Sequence, residues 1–162
     1  MLIFLFGYPG VGKNFIGQLL EEKYGFYFYD ADLDGTEAMK QAIAEHRLFT
    51  DEMRDEYYRI VIDRIRELRK KHPKLVIAQG LAKNKHRAWF REAFPGMKFL
   101  WVDCDEALMI NRLKQRTAPI VITEDYALMV KSIFETPDFD CPKIENNSNK
   151  EMLLKKLELV VK

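Results

Sequence analysis

Gly7, Gly12 and Lys13 stand at the spacing G-x-x-x-x-G-K, the pattern of a phosphate-binding loop, within the stretch GYPGVGKN. Successive backbone N–H groups can wrap a polyphosphate only where the chain takes angles open to glycine, and Gly10 loosens this turn further. The spacing predicts a helix from about Lys13, its positive end aimed at the phosphates and the Lys13 ammonium reaching the β and γ groups. A serine or threonine hydroxyl normally follows the lysine and ligates magnesium. This chain has Asn14 there. An amide oxygen can still meet a hard cation, but it is bulkier than a hydroxyl and cannot lose a proton.

Four further groups could act with such a loop. Asp30 and Asp32 are spaced by two, so in extended chain both point to one side. One could accept the proton of an attacking hydroxyl while the other holds magnesium through water, although aspartates equally favour turns and caps. Arg54 falls in the first turn of a long helical pattern, where a cation sits poorly against the helix dipole; it reads as a surface residue or as a ligand for a substrate anion. Lys83, Lys85, His86 and Arg87 form a basic cluster that is either a solvated helix face or part of a site. Arg112 and Arg116 lie on one helix face, placed to neutralise charge on a transferred group or to stay exposed. His46 and His72 have no partner that spacing identifies and read as surface residues.

The elements that must position these residues alternate. Leu2 to Phe6 is an unbroken apolar run, as a central parallel strand with both faces buried requires. A helix over about Lys13 to Tyr24 ends at Gly25, and Phe26 to Tyr29 is a second short strand running into Asp30. Helical patterns follow over about Gly35 to Arg47 and, after a Thr50 cap, to about Lys71, with Tyr57, Val61, Ile65 and Leu68 as its buried stripe. Lys74 to Ala78 and Lys98 to Val102 read as buried strands, separated by a basic helix over Lys83 to Phe94. Asp103 and Glu106 mark the start of a helix ending near Arg116; Thr117 to Ile122 reads as a loop, and Thr123 caps a helix to about Phe134. A strand over Phe139 to Ile144 and a helix introduced by a capping box at Ser148 to Glu151 complete the chain. This alternation predicts an α/β fold with a parallel sheet of about five strands. Ligands of such sheets sit beyond the carboxyl ends of the strands, which brings Gly7 to Asn14, Asp30 to Asp34, Gln79 to Lys85 and Asp103 to one edge.

Composition narrows the function classes. The 162 residues suit one domain with a substantial core, and 48% hydrophobic with 31% charged residues is ordinary for a globular protein. A net charge of +1 makes no electrostatic case for nucleic acid or an anionic membrane. Cys104 and Cys141 form no disulfide framework or metal pattern. Met1 leads straight into a strand with no basic region or cleavage site, and no apolar run approaches the ~20 residues of a membrane span, so a cytoplasmic location is expected.

Over nearly its whole length the chain resembles the small P-loop sugar-acid kinases of the gluconate kinase type, related to shikimate kinases and nucleoside monophosphate kinases. Beyond GYPGVGKN, Asp30-Ala31-Asp32 sits where gluconate kinases carry Asp-Gly-Asp, and Arg54 with Tyr57 sits like the arginine and aromatic after the family's acidic run. Gly80 to Arg87, GLAKNKHR, is similar to the family's Ala-Leu-Lys-Lys-x-x-Arg stretch. Arg112 to Arg116 matches the helix leading into the lid, and Ser132 to Pro137 looks like the segment that closes it. The departures are Asn14, Ala31, Ala118-Pro119-Ile120-Val121 in place of Gly-His-Phe-Phe, and no triple glycine after the third strand.

The resemblance implies a three-layer P-loop fold in a single domain, residues 1–162, with a short lid over about 117–137. It implies ATP and Mg²⁺, and transfer of the γ-phosphoryl group to a hydroxyl of a small anionic metabolite. Gly7, Pro9, Gly10, Val11, Gly12, Lys13, Asn14 and Arg112 are expected to hold the nucleotide, and Asn14 with Asp30 the metal. Asp30, Asp32, Arg54 and Lys83 are expected to hold the acceptor, and Lys13, Asp32 and Arg116 to act in the transfer. The partners are then the nucleotide and acceptor, with no nucleic acid or membrane, in a monomer or homodimer. A nucleotide-binding protein with lost catalysis and a nucleotide or coenzyme-precursor kinase are the alternatives.

Overall fold

A computed structural model describes residues 1–116, 121–147 and 149–162. Strand β1 (Leu2–Phe6) is buried at every position and lies at the centre of the sheet. It pairs in parallel with β3 (Leu75–Ala78) on one side and β4 (Lys98–Asp103) on the other. The edges are β2 (Tyr27–Asp30) and β5 (Lys143–Glu145), giving the all-parallel order β2-β3-β1-β4-β5. Because side chains alternate across a strand, Leu2, Phe4 and Phe6 enter one core and Ile3 and Leu5 the other. The first core is closed by α3 (Asp51–Lys71) and α4 (Asn84–Ala93), the second by α1 (Lys13–Tyr24) and α7 (Lys150–Val161). This is the expected three-layer arrangement. It follows from apolar runs that leave no face of the central strands for water.

The remaining helices are α2 (Glu37–Ala44), α5 (Glu106–Gln115) and α6 (Glu124–Ser132). Thr36, Thr50 and Thr123 cap α2, α3 and α6 through their hydroxyls, accepting from the N–H groups of Met39, Met53 and Tyr126.

Several boundaries differ from expectation for local reasons. The last strand begins at Lys143 rather than Phe139, since Pro142 has no N–H to give and contributes only its carbonyl, which accepts from Trp101. Helix α6 stops at Ser132, which frees Phe134 to stack with Phe6 and Trp101. Helix α7 is capped by Asn149, whose side chain accepts from Met152 N; Ser148, where a capping box is expected to begin, lies outside the described residues. Asp103 ends β4 and turns its carboxylate to Cys104 N, so Asp105 takes the cap position of α5. Of the expected lid, 117–120 lie outside the described residues; the remainder contains α6.

Candidate active site

The carboxyl edge of the sheet opens into a cleft of about 420 Å³. Its floor is the loop after β1. The chain leaves the strand at Gly7, whose N–H donates to Gly80 O at 3.3 Å. Gly7 has φ of 155°, and a Cβ there would run into Val102 O; no other residue fits. Gly12 ends the loop at φ 90°, a left-handed cap for α1 with no side chain bonded to the first-turn N–H groups. Those donors are left for a ligand.

Two side chains clamp the loop from behind. Arg112 Nη1 and Asn146 Nδ2 donate to Val11 O at 3.3 and 3.0 Å, and Arg112 Nη2 donates to Asn146 O at 2.8 Å. Lys13 folds back over the loop, its ammonium donating to Gly7 O (3.0 Å) and Tyr8 O (2.8 Å). Burial lowers its pKa to about 8; Asp32 pulls it up, Arg116 pushes it down and Asp30 pulls it up.

The aspartates approach from β2. They are not in extended chain: Ala31 to Asp34 form a 3-10 turn capped by Asp30, whose Oδ1 accepts from Asp32 N at 3.1 Å. The Asp30 side chain thus competes for the backbone N–H that a straight strand would leave outward. Asp30 Oδ2 accepts from Asn14 Nδ2 at 2.7 Å, so the Asn14 amide has its oxygen left over. Tyr57 pins the turn by donating to Ala31 O at 2.6 Å. Asp32 is half-buried beside these groups. Burial raises its pKa, the Asp30 charge raises it further, and Lys13, Arg116 and the Gln79 amide oppose them. One cleft therefore holds a phosphate-type loop, an ammonium resting on loop carbonyls and a carboxylate with raised proton affinity.

The family described as an AAA domain matches residues 3–126. The chain belongs to that family. A shikimate kinase of Azobacteroides pseudotrichonymphae genomovar. CFP2 is 35% identical over 78 residues, 48% of this chain and 45% of that protein, so the match spans less than half of the relative. Among solved structures, a gluconokinase from Sinorhizobium meliloti 1021 superposes with a TM-score of 0.80 at 19% identity, covering 96% of this chain and 87% of that one. An unliganded sugar kinase from Janibacter sp. HTCC2649 gives a TM-score of 0.83 at 19% identity, covering 98% and 92%. The α/β P-loop kinase fold inferred from the sequence is thereby shown.

In this AAA domain the expected residues sort unevenly. Pro9, Gly10, Gly12, Lys13, Asn14, Asp30, Asp32, Arg54, Arg112 and Arg116 all line the cleft. Gly7 and Val11 shape the loop from beneath. Arg112 reaches the cleft while bracing the loop, a role in support of the nucleotide site. Lys83 does not line the cleft; its ammonium lies 3.5 Å from Glu135. Nor is its neighbourhood a solvated basic face. Arg87 and His86 are both fully buried. Arg87 donates to Leu81 O, Ala82 O, Glu135 O and Asn84 Oδ1, with its guanidinium carbon 4.8 Å from the ring centres of both Phe6 and Phe134. It ties the loop after β3 to the segment after α6. His86 meets Asp55 Oδ1 through Nε2 at 2.7 Å, and burial pushes its pKa down.

Three residues with site roles carried no sequence pattern of their own. Gln79 Oε1 accepts from Tyr58 OH (2.7 Å) and Leu81 N (2.6 Å), leaving its NH₂ toward Asp32. Its place just past a buried strand puts it at the carboxyl edge, as expected for Gln79 to Lys85, but gives it no role of its own. Tyr58 reads as one more buried helix residue, and Asn146 has no local signal at all.

The donors suit Mg²⁺ carried on a nucleotide. The Asn14 amide oxygen and the Asp30 carboxylate are hard oxygens at the loop, and among the described residues no group of three or more His, Cys, Asp or Glu side chains forms a cage. Mg²⁺ typically takes one or two protein oxygens and completes its shell with phosphate and water.

Proposed function

We propose that this protein is an ATP-dependent kinase that transfers the γ-phosphoryl group to a hydroxyl of a small anionic metabolite in the cytoplasm. The observation that carries the reading is the convergence of Lys13, Asp32 and Arg116 in one cleft, where the Arg116 charge acts on both Lys13 and Asp32 and these two act on each other. The N–H groups of Gly10 to Lys13 cradle the phosphates, and Lys13 exchanges its two carbonyl partners for phosphate oxygens. Arg116 meets the charge that spreads over the transferred group, and Arg112 holds the loop beneath it. Asn14 and Asp30 would hold Mg²⁺, which when bound would shield the β and γ charges. The acceptor oxygen forms a bond to the γ phosphorus as the bond from phosphorus to the departing ADP oxygen breaks, and the acceptor proton passes to Asp32. Raised proton affinity suits Asp32 to that task. Arg54 binds the acceptor's anionic group.

Asp32 also favours a hydroxyl acceptor over a phosphate one, because a carboxylate at the transfer point repels an incoming phosphate. The test is calorimetric titration of MgATP into the protein and Lys13→Ala, with ADP release measured against a panel of hydroxy acids. The variant is expected to bind MgATP at least about tenfold more weakly, the effect of losing a charge-assisted contact. Equal affinity in both proteins would remove the loop as the nucleotide site.

A further inference from the structure

We infer that Asn14 is a positioning residue: its side-chain amide ties the turn that carries Asp32 to the helix end that closes the phosphate-type loop. The inference rests on the kinase reading for its consequence in turnover. It goes beyond that reading by giving the asparagine a task other than meeting a metal.

No strand ladder joins the two segments. In the order β2-β3-β1-β4-β5, β3 separates the strand that ends at Asp30 from the strand that leads into the loop. Helix α1 spans the gap. Its Gly17 is buried, and a Cβ there would run into the Phe28 ring, so the glycine lets the helix lie close against β2. Asn14 stands three residues before Gly17, on the same helix face, and Asp30 stands two residues after Phe28, on the same strand face. The close approach of one pair therefore brings the next pair together. Asn14 Nδ2 donates to Asp30 Oδ2 at 2.7 Å.

The carboxylate carries the link onward. An ionised carboxylate can only accept, so the amide must give it the NH₂ and keep its oxygen for the cleft. The other carboxylate oxygen, Asp30 Oδ1, accepts from Asp32 N at 3.1 Å. One planar group thus joins the first turn of α1 to the backbone of the residue that bears the proton acceptor. From the opposite layer Tyr57, buried in α3, donates its hydroxyl proton to Ala31 O at 2.6 Å. The turn is gripped on both sides, by α1 through Asp30 and by α3 through Tyr57. A serine at position 14 would end one bond beyond Cβ, whereas the amide nitrogen ends two bonds beyond it, so the hydroxyl falls short of Asp30 in this packing.

The test reads the free protein first. Amide hydrogen exchange by NMR, without Mg²⁺ or nucleotide, is compared in the parent, Asn14→Ser and Asn14→Ala. Both variants should exchange the Asp32 amide about tenfold faster or more, the scale of one hydrogen bond to a charged group, while amides in the second half of α1 keep their parent rates. ADP release is then measured at saturating Mg²⁺ with the most active acid of the hydroxy-acid panel. Asn14→Ser, which returns a hydroxyl to the metal, should lower kcat about fivefold or more with the KM for MgATP within about twofold, because the proton acceptor is less well placed. An Asp32 amide that exchanges at the parent rate in both variants overturns the inference. Faster exchange with kcat unchanged also overturns it, since Asn14 would then be a fold contact with no part in the transfer. A parent that releases ADP with no acid removes the kinase reading instead, and the exchange rates alone then decide whether Asn14 holds the turn.

Discussion

At the end of the cleft proposed for phosphate one continuous segment, Gly7 to Asn14, offers its own backbone, whereas the end proposed for the acceptor is assembled from side chains on α2, α3, α6, the turn after β2 and the loop after β3. The first surface is nearly independent of side-chain identity, apart from glycines that make room and one lysine. The second is nothing but side-chain identity. Nucleotide binding should therefore tolerate change at the acceptor end, while turnover and acceptor choice should not.

The sharpest way to break this division is Asp32→Asn. Removing a proton acceptor from a transfer typically costs about a hundred- to ten-thousandfold in rate. We expect a fall in kcat of that order in a coupled ADP assay, with MgATP affinity by calorimetry within about twofold of the parent. Turnover retained within about twofold, far short of a general-base effect, would show that Asp32 is a turn residue only.

A second test lies at the phosphate end and uses pH. Lys13 has its pKa lowered to about 8 in the folded protein, below its ordinary 10.5, because burial disfavours the ammonium. Between those values the unfolded chain holds a proton that the native protein has released, so the stability of the free protein should rise with pH across that window. ATP favours the ammonium, so its affinity should fall as pH rises through about 8, with proton uptake on binding detected in buffers of different ionisation enthalpy. Lys13→Met should flatten both dependences. Profiles unchanged in the variant would assign the titration to another group.

The smallest effect concerns Asn14, at the seam between the two ends. Its amide is oriented by Asp30 with the oxygen left over, so it can meet a cation, but with a bulkier group than a hydroxyl. Mg²⁺ holds its ligands near 2.0–2.1 Å in strict octahedral geometry. Asn14→Ser is expected to lower the Mg²⁺ concentration for half-maximal rate by a few fold, roughly 1 kcal/mol or less. If the serine variant needs as much Mg²⁺ or more, Asn14 is no handicap.

These contrasts also explain what was legible in advance. The loop, the helix behind it and the central strands could be read from Leu2 to Tyr24 because each rests on local rules: an apolar run too long to leave exposed, glycines where no Cβ fits, a glycine at the helix end. The sheet edge that gathers Asp30, Gln79 and Lys13 followed from alternation of elements alone. The burial of charge did not. Arg54, His86 and Arg87 look alike in sequence to exposed helix cations, and their fates depend on partners far along the chain. Arg87 is buried because Phe6, Phe134 and the Glu135 carbonyl enclose it; Lys83, four residues earlier, remains outside with Glu135. Asn146 stands behind Gly12 only because β5 pairs beside β4. Local pattern determined where a phosphate can be held, since backbone geometry is set by neighbouring residues. Which side chains face the acceptor, and which are spent on the protein, was decided by tertiary packing, since a hydrogen bond's value depends on what distant group arrives to share it.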